Sequence, residues 1–312
     1  MNITLFGGSG FVGNALTAQL INAGHRVTIP TRNREHVKNA AMQPNVSIVQ
    51  TTSFDDATLA RLVSGADAVI NLIGILHERK AGDFLRVHRD LTQRIVNACS
   101  AANVKRYLHM SALGAAVDGP SKYQQSRGES EAVVRASKLE WTMFAPSVIF
   151  GQGDSFLTMF AKIMPLMPPL MPMMTPRTSA RFQPVWVQDV ARAVVATLTE
   201  PSTIGQRYEL GGPNVFTLGE ILKHVRTRIG RSPWQTPVFS TPPPFGFLQA
   251  MALEFVPGGP LMSRDNLRSM SVDNVTTQQW PAFVKQIPAA MDAITPTYLG
   301  DVPDAYARYR KT

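Results

Sequence analysis

A glycine-rich turn stands directly between a short apolar segment and a helical pattern at the start of this chain. The apolar segment covers residues 1–6, and glycines follow as Gly7, Gly8, Gly10 and Gly13. Gly7 allows a tight turn, Gly10 lets the backbone approach a pyrophosphate, and Gly13 lets a helix pack closely on the strand. The N-terminus of that helix offers unpaired N–H groups to phosphates. The spacing therefore predicts a dinucleotide-binding unit.

The residues after the second apolar segment indicate which dinucleotide binds. NAD sites usually place an Asp or Glu there, about twenty residues past the glycines, where its carboxylate accepts from the ribose 2′-hydroxyl. Here residues 26–30 lead into Arg32 and Arg34, with no acid before Glu35. A guanidinium suits the 2′-phosphate of NADP, so we expect NADP(H) to bind better than NAD(H). The alternative is that both arginines simply lie on a solvated loop.

The composition narrows the classes of function. The one cysteine, Cys99, excludes an intramolecular disulfide and fits a reducing compartment. The six histidines are scattered, so we expect no metal site. The formal net charge of +9 is spread along the chain rather than gathered among aromatic residues, which argues against nucleic acid as a partner. With a strand expected at the start, we predict no signal peptide and a protein that is cytoplasmic or peripheral to the inner face of a membrane.

Short apolar segments alternate with helical patterns through the first half of the chain. Buried strands are predicted at residues 3–6, 27–29, 46–49, 68–73, 106–110 and 141–145. Helices are predicted between them at 11–24, 34–42, 55–64, 83–103 and 121–138. This alternation implies parallel βαβ units. We therefore predict an α/β fold of the Rossmann type, a doubly wound parallel sheet with its ligands at the carboxyl ends of the strands.

The pattern divides the chain into two parts. Residues 1–150 are predicted to form the NADP(H)-binding Rossmann domain, with a returning segment near 182–212. Residues 151–312 are predicted to form a smaller lobe for a substrate or partner. In this second half we predict strands at 182–187 and 208–210, and helices at 189–198, 217–229, 244–255 and 264–271.

Residues 156–174 form a methionine- and proline-rich apolar segment. Its prolines, at 165, 168, 169 and 172, remove backbone donors and break the helix that a membrane span needs. We interpret the segment as the flexible wall of an apolar substrate pocket or as a patch that contacts a membrane or a partner. A loop packed between the two lobes is the third interpretation.

Three residues are candidates for catalysis. Ser111 follows the fifth predicted strand, and Tyr123 and Arg127 lie four residues apart on the next helix, so they share a face. A phenol with a pKa near 10 is a poor acid–base catalyst at neutral pH unless a nearby cation favours the phenolate. We expect Tyr123 to exchange the proton, Arg127 to supply the charge and Ser111 to polarise the substrate oxygen.

The chain resembles the short-chain dehydrogenase/reductase superfamily in its extended, atypical branch. The likeness rests on the glycine turn at 7–13, on Ser111, on Tyr123 with Arg127, and on residues 146–151. Within the branch it is similar to the NADPH-binding accessory subunit of respiratory complex I and its bacterial relatives. The segments that carry this finer likeness are 69–74, 146–156, 181–190 and 260–267.

The resemblance implies a set of cofactor contacts. It places Tyr123 and Arg32 against the cofactor, and Asp55 or Asp56 near the adenine. The other implied contacts are Gly7, Ser9, Gly10, Phe11, Val12, Gly13, Leu72, Ile73, Gly74, Pro146 and Val148. Two residues depart from the family pattern, because Arg127 replaces its lysine and His88 stands where its helix asparagine is expected.

Three functions remain open at this point. The first is an NADP(H)-dependent oxidoreductase that exchanges a hydride with a carbonyl or alcohol of an apolar small molecule. The second is a cofactor-binding accessory or assembly protein of a membrane respiratory complex, with weak catalysis or none. The third is a nucleotide-sugar epimerase or dehydratase, an activity common in the extended branch.

Overall fold

The computed structural model describes residues 1–37, 42–254 and 262–300. The strands are β1 (Asn2–Phe6), β2 (Arg26–Thr31), β3 (Val46–Gln50), β4 (Ala68–Asn71), β5 (Arg106–Met110), β6 (Glu140–Pro146), β7 (Ile149–Phe150), β8 (Met173–Pro176), β9 (Arg181–Phe182), β10 (Val185–Trp186), β11 (Gln206–Leu210), β12 (Phe216–Thr217) and β13 (Val238–Thr241). The α-helices are α1 (Phe11–Asn22), α2 (Asp56–Val63), α3 (Leu91–Ala101), α4 (Lys122–Ala136), α5 (Leu157–Ile163), α6 (Val187–Ala196), α7 (Leu218–Arg228), α8 (Pro243–Leu253), α9 (Arg264–Ser269) and α10 (Met291–Ile294).

Seven of these strands form one parallel sheet in the order β11-β6-β5-β4-β1-β2-β3. The strand order reverses between β1 and β4, and a crevice opens at such a switch point outside the carboxyl ends of the strands. The doubly wound Rossmann fold predicted from the alternating pattern is confirmed. Strand β11 returns from the second half of the chain to pair with β6.

Helices cover both faces of the sheet, as the continuous apolar strands require. Neighbouring residues of β1 point to opposite faces, so Leu5 packs in one core with α1 and α6 while Phe6 packs in the other with α2 and α3. A third core lies in the second half of the chain and includes Phe150, Phe160 and Leu222. The division into domains at residue 150 stays a prediction.

Three predicted elements differ from the structure. The single strand predicted at 182–187 is split into β9 and β10, because Pro184 has no N–H and the Gln183 side chain donates to the Gly212 carbonyl at 2.7 Å. The helix predicted at 83–103 begins with a π-helical turn at Leu85–Asp90 before α3. Of the helix predicted at 34–42, a 3₁₀ turn covers Arg34–Val37, and residues 38–41 lie outside the described part.

The methionine- and proline-rich segment at 156–174 is divided among short elements. Helix α5 is followed by a 3₁₀ turn at Met164–Leu166, and β8 begins at Met173. None of the helices in the described ranges has both the length and the hydropathy of a membrane span.

Candidate cofactor and catalytic site

The glycine turn after β1 has the geometry of a phosphate cradle. Gly7 has a φ of +81°, which favours glycine, and a Cβ there would lie 3.1 Å from the Leu72 carbonyl carbon. A Cβ on Gly13 would collide with the Gly7 oxygen and lie 2.6 Å from the Gly8 Cα. The Gly10 N–H donates to the Gly7 oxygen at 3.0 Å and closes the turn. A side chain at either of the outer glycines would therefore displace the backbone that has to face a phosphate.

Helix α1 presents its positive end at this turn. Gly10 is the N-cap and has no side chain to accept from the first N–H groups, and no acidic residue stands in the first turn. An anion at this end is favoured by the helix dipole and by the free N–H groups. Ser9, Phe11 and Val12 are half-buried around it, and the Phe11 ring lies beside Gly151. These residues fit a diphosphate group.

Arg32 is exposed just past the end of β2. Its loop is ordered by Thr31, whose hydroxyl donates to the Asn33 oxygen at 3.0 Å and accepts from the Asn33 N–H at 3.2 Å. The Asn33 side-chain oxygen in turn accepts from the Glu35 N–H at 2.9 Å. Arg32 therefore lies on a loop held by internal hydrogen bonds, directly after β2 at the carboxyl edge of the sheet.

The two aspartates that follow β3 have different contacts. Asp55 is the N-cap of α2, where it accepts from the Ser53 hydroxyl at 2.6 Å and from the Thr58 N–H at 2.8 Å. These two hydrogen bonds, Ser53 first, lower the pKa of Asp55 to about 2. Asp56 instead accepts from the Arg94 Nε at 2.7 Å. Of the two, Asp55 is an ionised acceptor whose position is set by the helix that it caps.

Leu72, Ile73 and Gly74 follow β4 and form the opposite wall of the switch-point crevice. The Leu72 N–H donates to the Phe6 oxygen at 2.9 Å, and the Ile73 N–H donates to the Asn71 side chain at 3.0 Å. Gly74 is exposed, and its Cα lies against the Arg127 guanidinium, because a Cβ there would be 2.9 Å from the Arg127 Cζ. A side chain at Gly74 would displace the guanidinium from this position.

Tyr123 and Arg127 lie together on the first turns of α4. The Arg127 Cζ is 5.5 Å from the centre of the Tyr123 ring. Arg127 is 6% exposed and donates to the Met110 oxygen at 3.1 Å. The predicted pair therefore forms at the carboxyl ends of β4 and β5, with the cation over the half-buried Tyr123 ring.

Ser111 is not joined to this pair. Its hydroxyl donates to the Glu131 carboxylate at 2.6 Å, and Ser111 is 3% exposed. Glu131 also accepts from the Arg207 Nε at 3.0 Å and from the Arg135 guanidinium at 3.0 Å. The polarising role of Ser111 stays a prediction that requires its hydroxyl to leave Glu131.

Two residues from the C-terminal part of the chain, Asn274 and Asp265, contact the candidate site. Sequence analysis did not identify either of them. Pro146 is buried at the end of β6, and the N–H of Val148 donates to the Asn274 side chain at 3.0 Å. Asp265 accepts from the Tyr123 N–H at 3.1 Å, so α9 caps the helix that carries the tyrosine. Neither contact leaves a local signal, because the partners are 126 and 142 residues apart.

No cluster of three or more His, Cys, Asp or Glu side chains able to hold a metal ion occurs within residues 1–37, 42–254 and 262–300. The arrangement instead joins a phosphate cradle to a phenol–guanidinium pair across the carboxyl edge of one sheet. It suits an anionic dinucleotide whose far end lies beside Tyr123.

Comparisons with known proteins agree with this geometry. A family described as NAD(P)H-binding matches residues 7–157. Subunit 9 of the NADH dehydrogenase [ubiquinone] 1 alpha subcomplex, a mitochondrial protein of Arabidopsis thaliana, is 31% identical over 258 residues, which are 80% of this chain. The match spans only 62% of that relative's own length. The predicted resemblance to this subunit of the respiratory NADH dehydrogenase is confirmed.

Two further proteins are similar to this chain. A ceramide reductase of Caulobacter vibrioides is 28% identical over 202 residues, which are 64% of this chain and 61% of the relative. The solved structure of a nucleoside-diphosphate-sugar epimerase from Staphylococcus aureus superposes with a TM-score of 0.72 at 19% identity, over 93% of this chain and 98% of the other. At that identity the second likeness shows the fold alone. The NAD(P)H-binding family match supports a nicotinamide cofactor and does not distinguish NADP from NAD.

Proposed function

Because this chain contains an NAD(P)H-binding domain and is homologous to subunit 9 of a mitochondrial NADH dehydrogenase, we propose that it is an oxidoreductase that uses NADP(H). It exchanges a hydride with a carbonyl or alcohol carbon of an apolar substrate. The observation that carries the proposal is the Tyr123–Arg127 pair beside Gly74, at the edge of the sheet where the glycine turn also lies.

The nicotinamide ring supplies or accepts the hydride when the cofactor is bound. Tyr123 donates its phenolic proton to the substrate oxygen in one direction and takes it back in the other. Arg127 supplies a positive charge beside the phenol, 5.5 Å from the ring centre to its Cζ. Ser111 assists only if its hydroxyl exchanges Glu131 for the substrate oxygen.

Arg32 supports NADP(H) over NAD(H). An exposed guanidinium at the end of β2 can hydrogen-bond the 2′-phosphate, and a charge-assisted bond is worth about 1.5–3 kcal/mol. This corresponds to a preference of about ten- to a hundredfold. An apolar substrate is supported by the methionine-rich segment at 156–174 and by the ceramide reductase among the relatives.

Titration of the purified protein with NADPH and with NADH tests the proposal. We expect saturable NADPH binding that Arg32→Ala weakens about ten- to a hundredfold, and a matched Arg34→Ala variant that keeps the wild-type affinity. A screen of carbonyl substrates with bound NADPH then follows, with Tyr123→Phe as the inactive control. Equal affinity for both cofactors would remove the NADP preference, and binding of neither would overturn the function.

A second candidate, an accessory protein that docks on a membrane respiratory complex, is favoured by one surface observation. Large apolar side chains are exposed on β8, β13, α8 and their loops, and we name this the C-terminal apolar surface. Its members are Leu166, Leu170, Met171, Met174, Trp234, Phe239, Phe245, Phe247, Leu248 and Met251. The elements that carry them are adjacent, since Phe239 of β13 pairs with Met174 of β8 and Gln249 of α8 donates to the Met174 oxygen at 2.7 Å. Exposed apolar patches of this kind mark interaction sites.

Sedimentation with phospholipid vesicles tests whether this surface also provides the peripheral membrane location, through direct contact with lipid. A Leu170→Ser, Phe245→Ser double variant should lose vesicle binding, whereas Ile287→Ser, at an exposed position outside this surface, should keep it. Wild-type protein that stays in solution would count against docking on lipid. The third candidate function, that of an epimerase, is supported only by the similarity of fold.

A further inference from the structure

His88 is a buried histidine with both ring nitrogens engaged by different parts of the molecule. Its Nε2 accepts from the Ile75 N–H at 3.0 Å, so the proton resides on Nδ1. Nδ1 lies 2.8 Å from the Ser126 hydroxyl, and that hydroxyl donates to the Tyr123 carbonyl oxygen at 2.8 Å. One chain of hydrogen bonds therefore runs from the loop after β4 to the helix that carries the tyrosine.

The ring of His88 adds packing to these hydrogen bonds. It stacks on Phe84 with 5.5 Å between ring centres and meets the Tyr123 ring edge-on at 5.6 Å. Phe84 also contacts Tyr123 directly, at 5.8 Å. The π-helical turn at Leu85–Asp90 carries His88 into this position, and such turns are frequent at functional sites.

The two elements that His88 joins are the two walls around the far end of the candidate cofactor site. Ile75 directly follows Gly74, which lies against Arg127, and Ser126 precedes Arg127 on α4. We infer that His88 is a positioning residue for the nicotinamide half of the cofactor, which it serves by holding the Gly74 loop and the Tyr123 helix at a set separation. This inference rests on the proposed function.

The protonation state of His88 is consistent with this role. Burial, reinforced by the charge of Arg127, lowers the pKa of His88 to about 2. The ring is therefore neutral at neutral pH and keeps one donor and one acceptor, which are the two functions that the chain of hydrogen bonds needs.

The test compares two ligands that share all groups except the nicotinamide ring. NADPH contains the nicotinamide, and 2′-phospho-ADP-ribose lacks it. His88→Phe keeps the ring stacking and removes both hydrogen bonds, so we expect about a tenfold loss of NADPH affinity with unchanged affinity for 2′-phospho-ADP-ribose. His88→Gln, which restores a donor and an acceptor, should recover part of the loss. His109→Phe is the matched control, because it removes another buried histidine bonded to α4 that does not contact the Gly74 loop.

Two results would contradict the inference. Equal losses for both ligands would make His88 a general structural residue, and an unchanged NADPH affinity would deny it any role in positioning. Wild-type protein that binds neither ligand would instead overturn the proposed function itself. If His88→Phe does not fold, Ser126→Ala gives the same test by cutting the link on the helix side, and it too should lower NADPH affinity selectively.

Discussion

The guanidinium of Arg127 lies over the face of the Tyr123 ring, with 5.5 Å from its central carbon to the ring centre. A cation in this position is attracted to the negative face of the ring. Because an arginine does not lose its proton in proteins, the charge is permanent. It also acts on its buried neighbours, since it helps to lower the pKa values of His88 and His109.

Tyr123→Phe separates proton transfer from binding. The variant keeps the ring on which Arg127 stacks and loses only the hydroxyl, so we expect turnover of a carbonyl substrate to fall about 10²- to 10⁴-fold. The affinity for NADPH should stay close to the wild-type value. Steady-state kinetics with NADPH titration measure both quantities, and a variant with wild-type turnover would refute the acid–base role.

Ser111→Ala tests whether the strand-end serine reaches the substrate. Its hydroxyl donates to Glu131 at 2.6 Å, and removal of this donor leaves a buried carboxylate with one hydrogen bond fewer. We expect a loss of stability of about 1–3 kcal/mol with little change in turnover. Urea unfolding measures the change in stability, and steady-state kinetics on the same preparation measure the change in turnover. A large fall in turnover at unchanged stability would favour the polarising role predicted from the sequence.

Gly13→Ala and Gly219→Ala form a matched pair in the first turns of two helices. A methyl group on Gly13 collides with the glycine turn, whereas on Gly219 it meets its nearest neighbour, the Thr178 oxygen, at an ordinary 3.4 Å. We expect Gly13→Ala to cost about 1–3 kcal/mol of stability and to weaken NADPH binding. Gly219→Ala should be neutral or add up to about 1 kcal/mol. Equal thermal stability and affinity of the two variants would contradict the tight packing of the turn.

Stability should fall as the solution becomes acidic. Burial, with help from Arg127, lowers the pKa of His88 to about 2 and that of His109 to about 3, whereas an unfolded histidine titrates near pH 6.5. Below pH 6.5 the unfolded chain binds protons that the folded chain does not, so the stability present above that pH is progressively lost. The two histidines together should cost about 4 kcal/mol between pH 7 and pH 5.

Urea unfolding across that pH range measures the effect. His88→Phe should make the dependence shallower by about one proton, because only His109 of the two then contributes. A free energy of unfolding that stays constant between pH 7 and pH 5 would show that these rings are not held neutral.

Much of the architecture could be predicted from local patterns. The strand predicted at 106–110 has those bounds in the structure, and the glycine spacing identified the turn where a Cβ on Gly13 has no room. The i, i+4 spacing likewise brought Tyr123 and Arg127 onto one helix face. Such features depend on backbone conformation and side-chain periodicity within a few residues, so the sequence by itself determined them.

The tertiary structure decided which distant groups meet at the site. It turned the Ser111 hydroxyl to Glu131, brought Asn274 to Val148, and capped the Tyr123 helix with Asp265. It also placed His88 between Ile75 and Ser126. These partners come from separate elements, and their contacts form only when the sheet and its helices pack, because the direction of each side chain depends on the relative placement of those elements.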